Sequence, residues 1–229
     1  METQEQQEII SQALIGNGAS RVGFGDVSDL PAELTSGLPV AISIVAKYGG
    51  RIANNLEDEP AYHAHLVELL TSRERLMDQA LAILKGWRFK AAAVPVDILV
   101  KSREHLASLR VFPHKTAATR AGLGWIGKSA LLITPEFGPR LGLATVLTNA
   151  PFKTAEPVVS ENCGECRLCV DACPYGAIHG LNWKLGISRE ELFDPFLCND
   201  KRAEFIPKLG RKSNCGLCIQ ACPIGRKKI

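Results

Sequence analysis

Residues 163–174 read Cys163-Gly164-Glu165-Cys166-Arg167-Leu168-Cys169-Val170-Asp171-Ala172-Cys173-Pro174. A second run, Cys215-Gly216-Leu217-Cys218-Ile219-Gln220-Ala221-Cys222-Pro223, repeats its ending, and Cys198 stands between the two. All eight cysteines of the 229-residue chain therefore lie at or beyond residue 163. Two-residue spacers let a loop wrap three corners of an iron–sulfur cube while backbone amides point at the sulfurs. The cysteine before proline points away, towards a second cube. Eight thiols are what two [4Fe-4S] clusters need. The spacing assigns Cys163, Cys166, Cys169 and Cys222 to cluster one, and Cys173, Cys198, Cys215 and Cys218 to cluster two.

Rival uses of the cysteines fit less well. Disulfides belong to exported proteins, and the polar start from Glu2 to Glu8 does not resemble a signal peptide. Zinc knuckles do not end in C-x2-C-x3-C-P. Inert core cysteines would not bunch in this way. The run is that of bacterial two-cluster ferredoxins, so residues 158–229 are expected to form a ferredoxin-like domain holding both clusters. Thiolates and oxygen-sensitive clusters of this kind point to the cytoplasm.

The first 157 residues contain no cysteine and are long enough to bury a core of their own. The formal charge of +3 falls entirely within residues 151–229, which leaves residues 1–150 neutral. No basic stripe of the kind nucleic-acid binding uses is visible, and no apolar run is long enough to span a bilayer. Glu2 to Leu14 reads as a helix. Ser20 to Gly25 and Leu38 to Lys47 read as strands, the second central and buried. A long helix opens at Glu57-Asp58-Glu59-Pro60, with Leu66, Leu69, Leu70, Leu76, Met77, Ala80, Leu81 and Leu84 at helical spacing. Arg88 to Val94 is a further strand. Ser129 to Thr134 and Leu141 to Leu147 are expected to pair around Gly138-Pro139. The fold class is α+β, with a mixed-sheet α/β domain over residues 1–157. Between the cysteine runs, Ser188 to Glu191 is a capping-box pattern, and Asp194-Pro195 starts a helix that carries Cys198.

Gly122-Leu123-Gly124-Trp125-Ile126-Gly127-Lys128 matches G-x-G-x-x-G, but a helix precedes it and a strand follows. This reverses the order of a dinucleotide-binding turn. Two readings stand side by side. The glycines bring backbone close to a flat cofactor, with Lys128 near an anionic group, or they stop a helix above a packed Trp125. His63 and His65, with Tyr62, read either as axial or proton-delivery groups or, the favoured reading, as ordinary surface or boundary residues, since positions two apart face different sides of a helix.

The stretch HKTAATRAGLGWIGKSALLITPEFGPRLGLATVLTNAPF (114–152), followed by the two cysteine runs, resembles the epoxyqueuosine reductase family. The likeness covers Leu38 to the C-terminus and is strongest from Thr116 to Cys222. It implies a cobalamin-dependent iron–sulfur reductase related to reductive dehalogenases, with a nitroreductase-like α/β domain for the corrinoid and a two-cluster ferredoxin domain. On this resemblance, Gly122 to Lys128 would bind the corrinoid. The family acts on a modified tRNA base and places a catalytic aspartate about a dozen residues before the glycine motif. Here Ser108 falls near that place, and Glu104, His105 and His114 are the nearby acid/base candidates. The family also continues into a helical-repeat domain after the clusters, whereas this chain ends seven residues after Cys222. The resulting expectation is an oxidoreductase whose clusters reduce a corrinoid (FMN being the alternative cofactor), which then reduces a small electrophile, with tRNA disfavoured. The alternatives are an electron carrier or reactivase that serves a partner protein, or a domain merely stapled by its clusters.

Overall fold

The computed structural model describes residues 2–49, 59–96, 104–105, 111–205 and 215–226, with side chains from 64 onward in the second span and to 201 in the fourth. In chain order the elements are α1 Thr3–Gly16, β1 Arg21–Asp26, α2 Ala32–Thr35, β2 Val40–Lys47, α3 Glu59–Gly86, β3 Ala91–Ala93 and α4 His114–Arg120. They continue with β4 Trp125–Ile126, β5 Leu132–Ile133, β6 Leu141–Thr148, α5 Leu168–Asp171, α6 Arg189–Leu192, α7 Pro195–Phe205 and α8 Leu217–Ala221. The α+β class expected from the sequence is what these elements build.

The chain forms two compact units: residues 1–47, 69–123 and 142–158, and residues 48–68, 124–141 and 159–229. The units are not consecutive in sequence. Segments 48–68 and 124–141, which precede the boundary expected at 157/158, group with the cysteine-bearing part.

The first unit is built on a four-stranded sheet of order β1-β2-β6-β3. β1 pairs with β2 and β3 with β6, both antiparallel. β2 is buried along seven of its eight residues because both faces are covered. Val40, Ile42 and Ile44 join Ile10 and Leu14 of α1 and Leu76, Met77, Ala80 and Leu84 of α3 in one cluster. Ala41 alternates to the other face, with Val27, Phe112, Val94 and Ala117 of α4. Each fully buried aliphatic side chain contributes roughly 1.5–3 kcal/mol, so this three-layer arrangement is well supplied. The glycines of β1 have a packing cause: a Cβ on Gly23 or Gly25 would lie 2.9 Å from the backbone at the end of α4. Phe24, between them, faces the opposite core and meets Phe152 edge-on at 5.2 Å.

The expected pairing of Ser129–Thr134 with Leu141–Leu147 is not found. β5 covers only Leu132–Ile133 of that run and pairs with β4 in a separate two-stranded sheet, while β6 sits beside β2 and β3. The turn at Gly138 is closed locally by the Thr134–Gly138 bridge. The chain then leaves for the large sheet, where β6 is buried almost throughout.

In the second unit the capping box forms as read. Ser188 Oγ accepts from the Glu191 amide at 3.2 Å, and Glu191 Oε2 accepts from the Ser188 amide at 2.8 Å. Asp194 Oδ1 accepts from Phe196 and Leu197 amides, each at 2.9 Å, and so caps α7, which carries Cys198. Among the described residues no helix is long and apolar enough to cross a membrane.

Candidate metal centre

The two cysteine runs each place one thiol on a short helix, Cys169 on α5 and Cys218 on α8, and these helices pack together. None of the eight cysteines is in a disulfide. Cys163, Cys166, Cys169 and Cys222 line one cavity of about 240 Å³. The last of these comes from the second run, so the cavity draws on both motifs. Burial, then neighbouring Cys163, Cys222 and Cys166, pushes the Cys169 thiol up to about 11. Burial also raises the Cys222 thiol. Cys218 is pushed up to about 12 by burial and then by Cys215, Cys198, Cys169 and Cys173.

Crowded thiols that resist ionisation are what a cationic iron core would relieve, because binding takes up thiolate and releases the protons. Among the described residues no group of three or more His, Cys, Asp or Glu converges on a single-ion site. Thiols that line a cavity suit a cube better than one zinc ion held at about 2.3 Å.

The glycine-rich segment forms the other wall of the cavity. Gly127, Lys128, Ser129 and Ile133 line it. They belong to the β4–β5 hairpin, whose tip is closed by Gly127 N–H donating to Leu131 O at 2.9 Å and Ala130 N–H to Gly127 O at 2.8 Å. A Cβ on Gly127 would meet Ile133 Cγ1 at 2.8 Å and Cys163 Sγ at 3.4 Å. A Cβ on Gly124 would collide with the Ile133 carbonyl, and one on Gly122 would lie 3.2 Å from Glu156 O. The three glycines are thus accounted for by contacts within the chain, and the one at 127 faces the Cys163 thiol. Leu123 and Trp125 are buried and Ile126 half-buried. The Trp125 indole N–H is buried without a partner among the described residues, which leaves that donor for a bound group.

Two side chains that the sequence did not single out tie the site together. Arg140, buried, donates to Cys222 O at 2.7 Å and Ile224 O at 2.9 Å. The Glu161 carboxylate accepts from the amides of Cys163 and Gly164. Gly138 and Gly225 let the chain after Cys222 lie directly on the turn at Phe137, since a Cβ on Gly138 would enter the Ile224 carbonyl and one on Gly225 the Phe137–Gly138 peptide. For Gly138 and Arg140 the only sequence signal was their place on either side of Pro139.

His114 belongs to the first unit. Its Nε2 donates to Pro95 O at 3.0 Å and its Nδ1 accepts from Thr145 Oγ1 at 2.8 Å. A carbonyl can only accept, which fixes this neutral tautomer. Burial, ahead of the Pro95 hydrogen bond that opposes it, lowers its pKa from 6.5. Both nitrogens are occupied, so the ring acts as a bracket between β6 and the loop after β3. His114→Ala is expected to destabilise by about 1–3 kcal/mol, because it removes two hydrogen bonds and orphans the buried Thr145 hydroxyl. The wild-type contribution should be complete above about pH 6.5, the unfolded value, and be lost as pH falls below it, when the unfolded chain binds the proton more readily. Denaturant unfolding of both proteins from pH 8 to pH 5 checks this: the stability gap should narrow on acidification.

Glu104 and His105 lie among the described residues, Glu104 exposed and His105 half-buried. Ser108 lies outside them, as do the side chains of Tyr62 and His63. His65 packs edge-on against Tyr48 at 5.2 Å and accepts from the Gly49 amide at 3.4 Å.

Residues 162–225 match the family of the 4Fe-4S double cluster binding domain. The chain is 40% identical over 112 residues to an epoxyqueuosine reductase of Listeria monocytogenes, a match covering 48% of this chain and 28% of that protein. It is 36% identical over 136 residues to that of Bacillus subtilis, covering 58% and 33%. The match thus spans about a third of the length of these curated relatives. In fold, the chain is similar to an epoxyqueuosine reductase solved with an epoxyqueuosine-modified tRNA-Tyr stem loop, with TM-score 0.65 and 20% identity over 98% of this chain and 66% of that one. A reductive dehalogenase studied for B12-dependent dehalogenation gives TM-score 0.71 and 19% identity over 99% and 33%. By these matches the chain is epoxyqueuosine reductase-like and carries a double [4Fe-4S] cluster domain. The expectation against tRNA is overturned by the same matches: the relatives are reductases of epoxyqueuosine, and one fold neighbour holds a tRNA stem loop. Net charge was a poor guide, since it averages over a surface and does not report a local binding face.

Proposed function

We propose that this chain is an iron–sulfur reductase whose two clusters, ligated by Cys163, Cys166, Cys169 and Cys222 and by Cys173, Cys198, Cys215 and Cys218, feed a corrinoid in the N-terminal domain. Its substrate is an electrophile of the class its relatives reduce, an epoxide on a modified tRNA nucleoside, and it works in the cytoplasm. The observation that carries this reading is the cavity lined by four cysteines from two distant runs and by the hairpin of the glycine motif. Bound clusters supply electrons singly, and a corrinoid supplies a low-potential reductant.

The chain's own residues hold and orient. Arg140 pins the chain from Cys222 to Ile224, and Glu161 gathers the amides of the Cys163 loop. Trp125 offers its indole N–H. Conversion of an epoxide to an alkene takes two electrons and two protons and releases the oxygen as water, which matches two one-electron centres. Of the acid/base candidates before the glycine motif, Glu104 and His105 would serve as proton donors.

A second reading has one observation in its favour. Cys166 is exposed, which suits electron exchange with another protein, as a carrier or reactivase would need. Anaerobic reconstitution with iron and sulfide, then titration with cob(II)alamin followed by electron paramagnetic resonance (EPR), separates the two. The reductase reading expects a perturbed corrinoid signal that couples to the clusters on reduction, and turnover of an epoxyqueuosine-containing stem loop. Two intact clusters with no corrinoid response would reject it in favour of the carrier.

A further inference from the structure

Lys128 is the one charged side chain lining the cysteine cavity among the described residues. It is only 5% exposed. Its Nζ donates to Gly164 O at 2.6 Å, within the loop between Cys163 and Cys166. A buried ammonium persists opposite an anion, and one carbonyl is not an anion. Among the described residues no carboxylate lines this cavity; four thiols do. A second buried cation, Arg140, holds the carbonyl of Cys222. The acid at this end, Glu161, is half-buried, and its carboxylate is taken up by the amides of Cys163 and Gly164. Among the described residues, the groups that act electrostatically most on the Cys218 thiol are by contrast Cys215, Cys198, Cys169 and Cys173.

We propose that Lys128, seconded by Arg140, is the internal counter-ion of the cluster held by Cys163, Cys166, Cys169 and Cys222, and sets its reduction potential above that of its neighbour. The inference rests on the cluster assignment proposed above. A thiolate-ligated cluster is anionic and gains one more negative charge on reduction. A fixed cation in a water-poor wall therefore stabilises the reduced form more than the oxidised one. Electrons would then settle on the cluster bounded by the glycine-rich hairpin, which makes it the point of departure towards the acceptor. Lys128 is a positioning and tuning residue in this scheme.

The test is an anaerobic redox titration of the reconstituted full chain, read by EPR, for wild type, Lys128→Gln and Lys128→Arg. Cys215→Ser is added to isolate the signal of cluster one. In Lys128→Gln the reduced-to-oxidised ratio of cluster one at fixed ambient potential should fall about tenfold, equal to about 59 mV for one electron, while cluster two stays within about twofold and Lys128→Arg stays near wild type. Equal shifts of both clusters, or none, would overturn the proposal. Loss of cluster one in Lys128→Gln but not in Lys128→Arg supports a requirement for charge; loss in both shows a packing role and overturns it. Failure of wild type to bind two clusters would instead reject the cluster assignment itself.

Discussion

Cys222→Ser is expected to remove one cluster and spare the other, and the cluster it removes should be the one that Cys163→Ser also removes. Iron and acid-labile sulfide per chain should fall to about half after reconstitution in either variant, and the surviving EPR signal should be the same in both. The reason is geometric. Cys222 lies in the second run, yet it lines the same cavity as Cys163, Cys166 and Cys169, and Cys163 and Cys166 are the thiols that raise its pKa alongside burial. If each run instead held its own cluster, Cys222→Ser would match Cys215→Ser and differ from Cys163→Ser. The effect should be large, since serine is a poor ligand for iron that prefers soft thiolate. Cys173→Ser gives the reciprocal check: it sits in the first run but should share its phenotype with Cys198→Ser, Cys215→Ser and Cys218→Ser.

The double-cluster domain was legible because the spacing of the two cysteine runs is what a cluster-binding loop needs; which thiol serves which cluster is the proposal that the serine variants test. The capping box at Ser188 and the cap at Asp194 were legible for a similar reason: each is settled within four residues. β2 was legible because seven buried residues leave no polar alternation to misread. Ser129 to Thr134 failed because propensity says that a run is extended but not what it pairs with. Leu132 and Ile133 meet Ile126 and Trp125 in a hairpin whose turn contains Lys128 and Ala130 at φ 56, and no local rule announces a left-handed alanine there. Arg140 could not have been found either. Its value lies in carbonyls 82 and 84 residues away, a distance at which sequence patterns carry no signal. The glycine motif was legible as a feature but ambiguous in cause, and the structure shows that its glycines have neighbours within the chain.

Those neighbours make Gly124→Ala the most damaging single-methyl change expected in the hairpin. The new Cβ would enter the space of the Ile133 carbonyl oxygen and sit 2.9 Å from its carbon. Both atoms are backbone, so no side chain can swing aside, and Trp125 is registered against Ile133. The strands must separate, which costs about 3 kcal/mol, near the upper end for overpacking. The hairpin tip that carries Gly127, Lys128 and Ser129 would move with them, and these residues line the cysteine cavity. Gly124→Ala should therefore lower the unfolding midpoint and also reduce occupancy of the cluster that Cys163→Ser abolishes, while leaving the other cluster intact. Gly16→Ala is the control: nothing lies within 4 Å of its added Cβ at the end of α1, so it should be neutral or stabilising by up to about 1 kcal/mol. Thermal unfolding together with iron content in the two variants decides the matter. A Gly124→Ala protein with full iron and an unchanged midpoint would mean that the hairpin does not form the cavity wall, and the link between the glycine motif and cluster one would have to be abandoned.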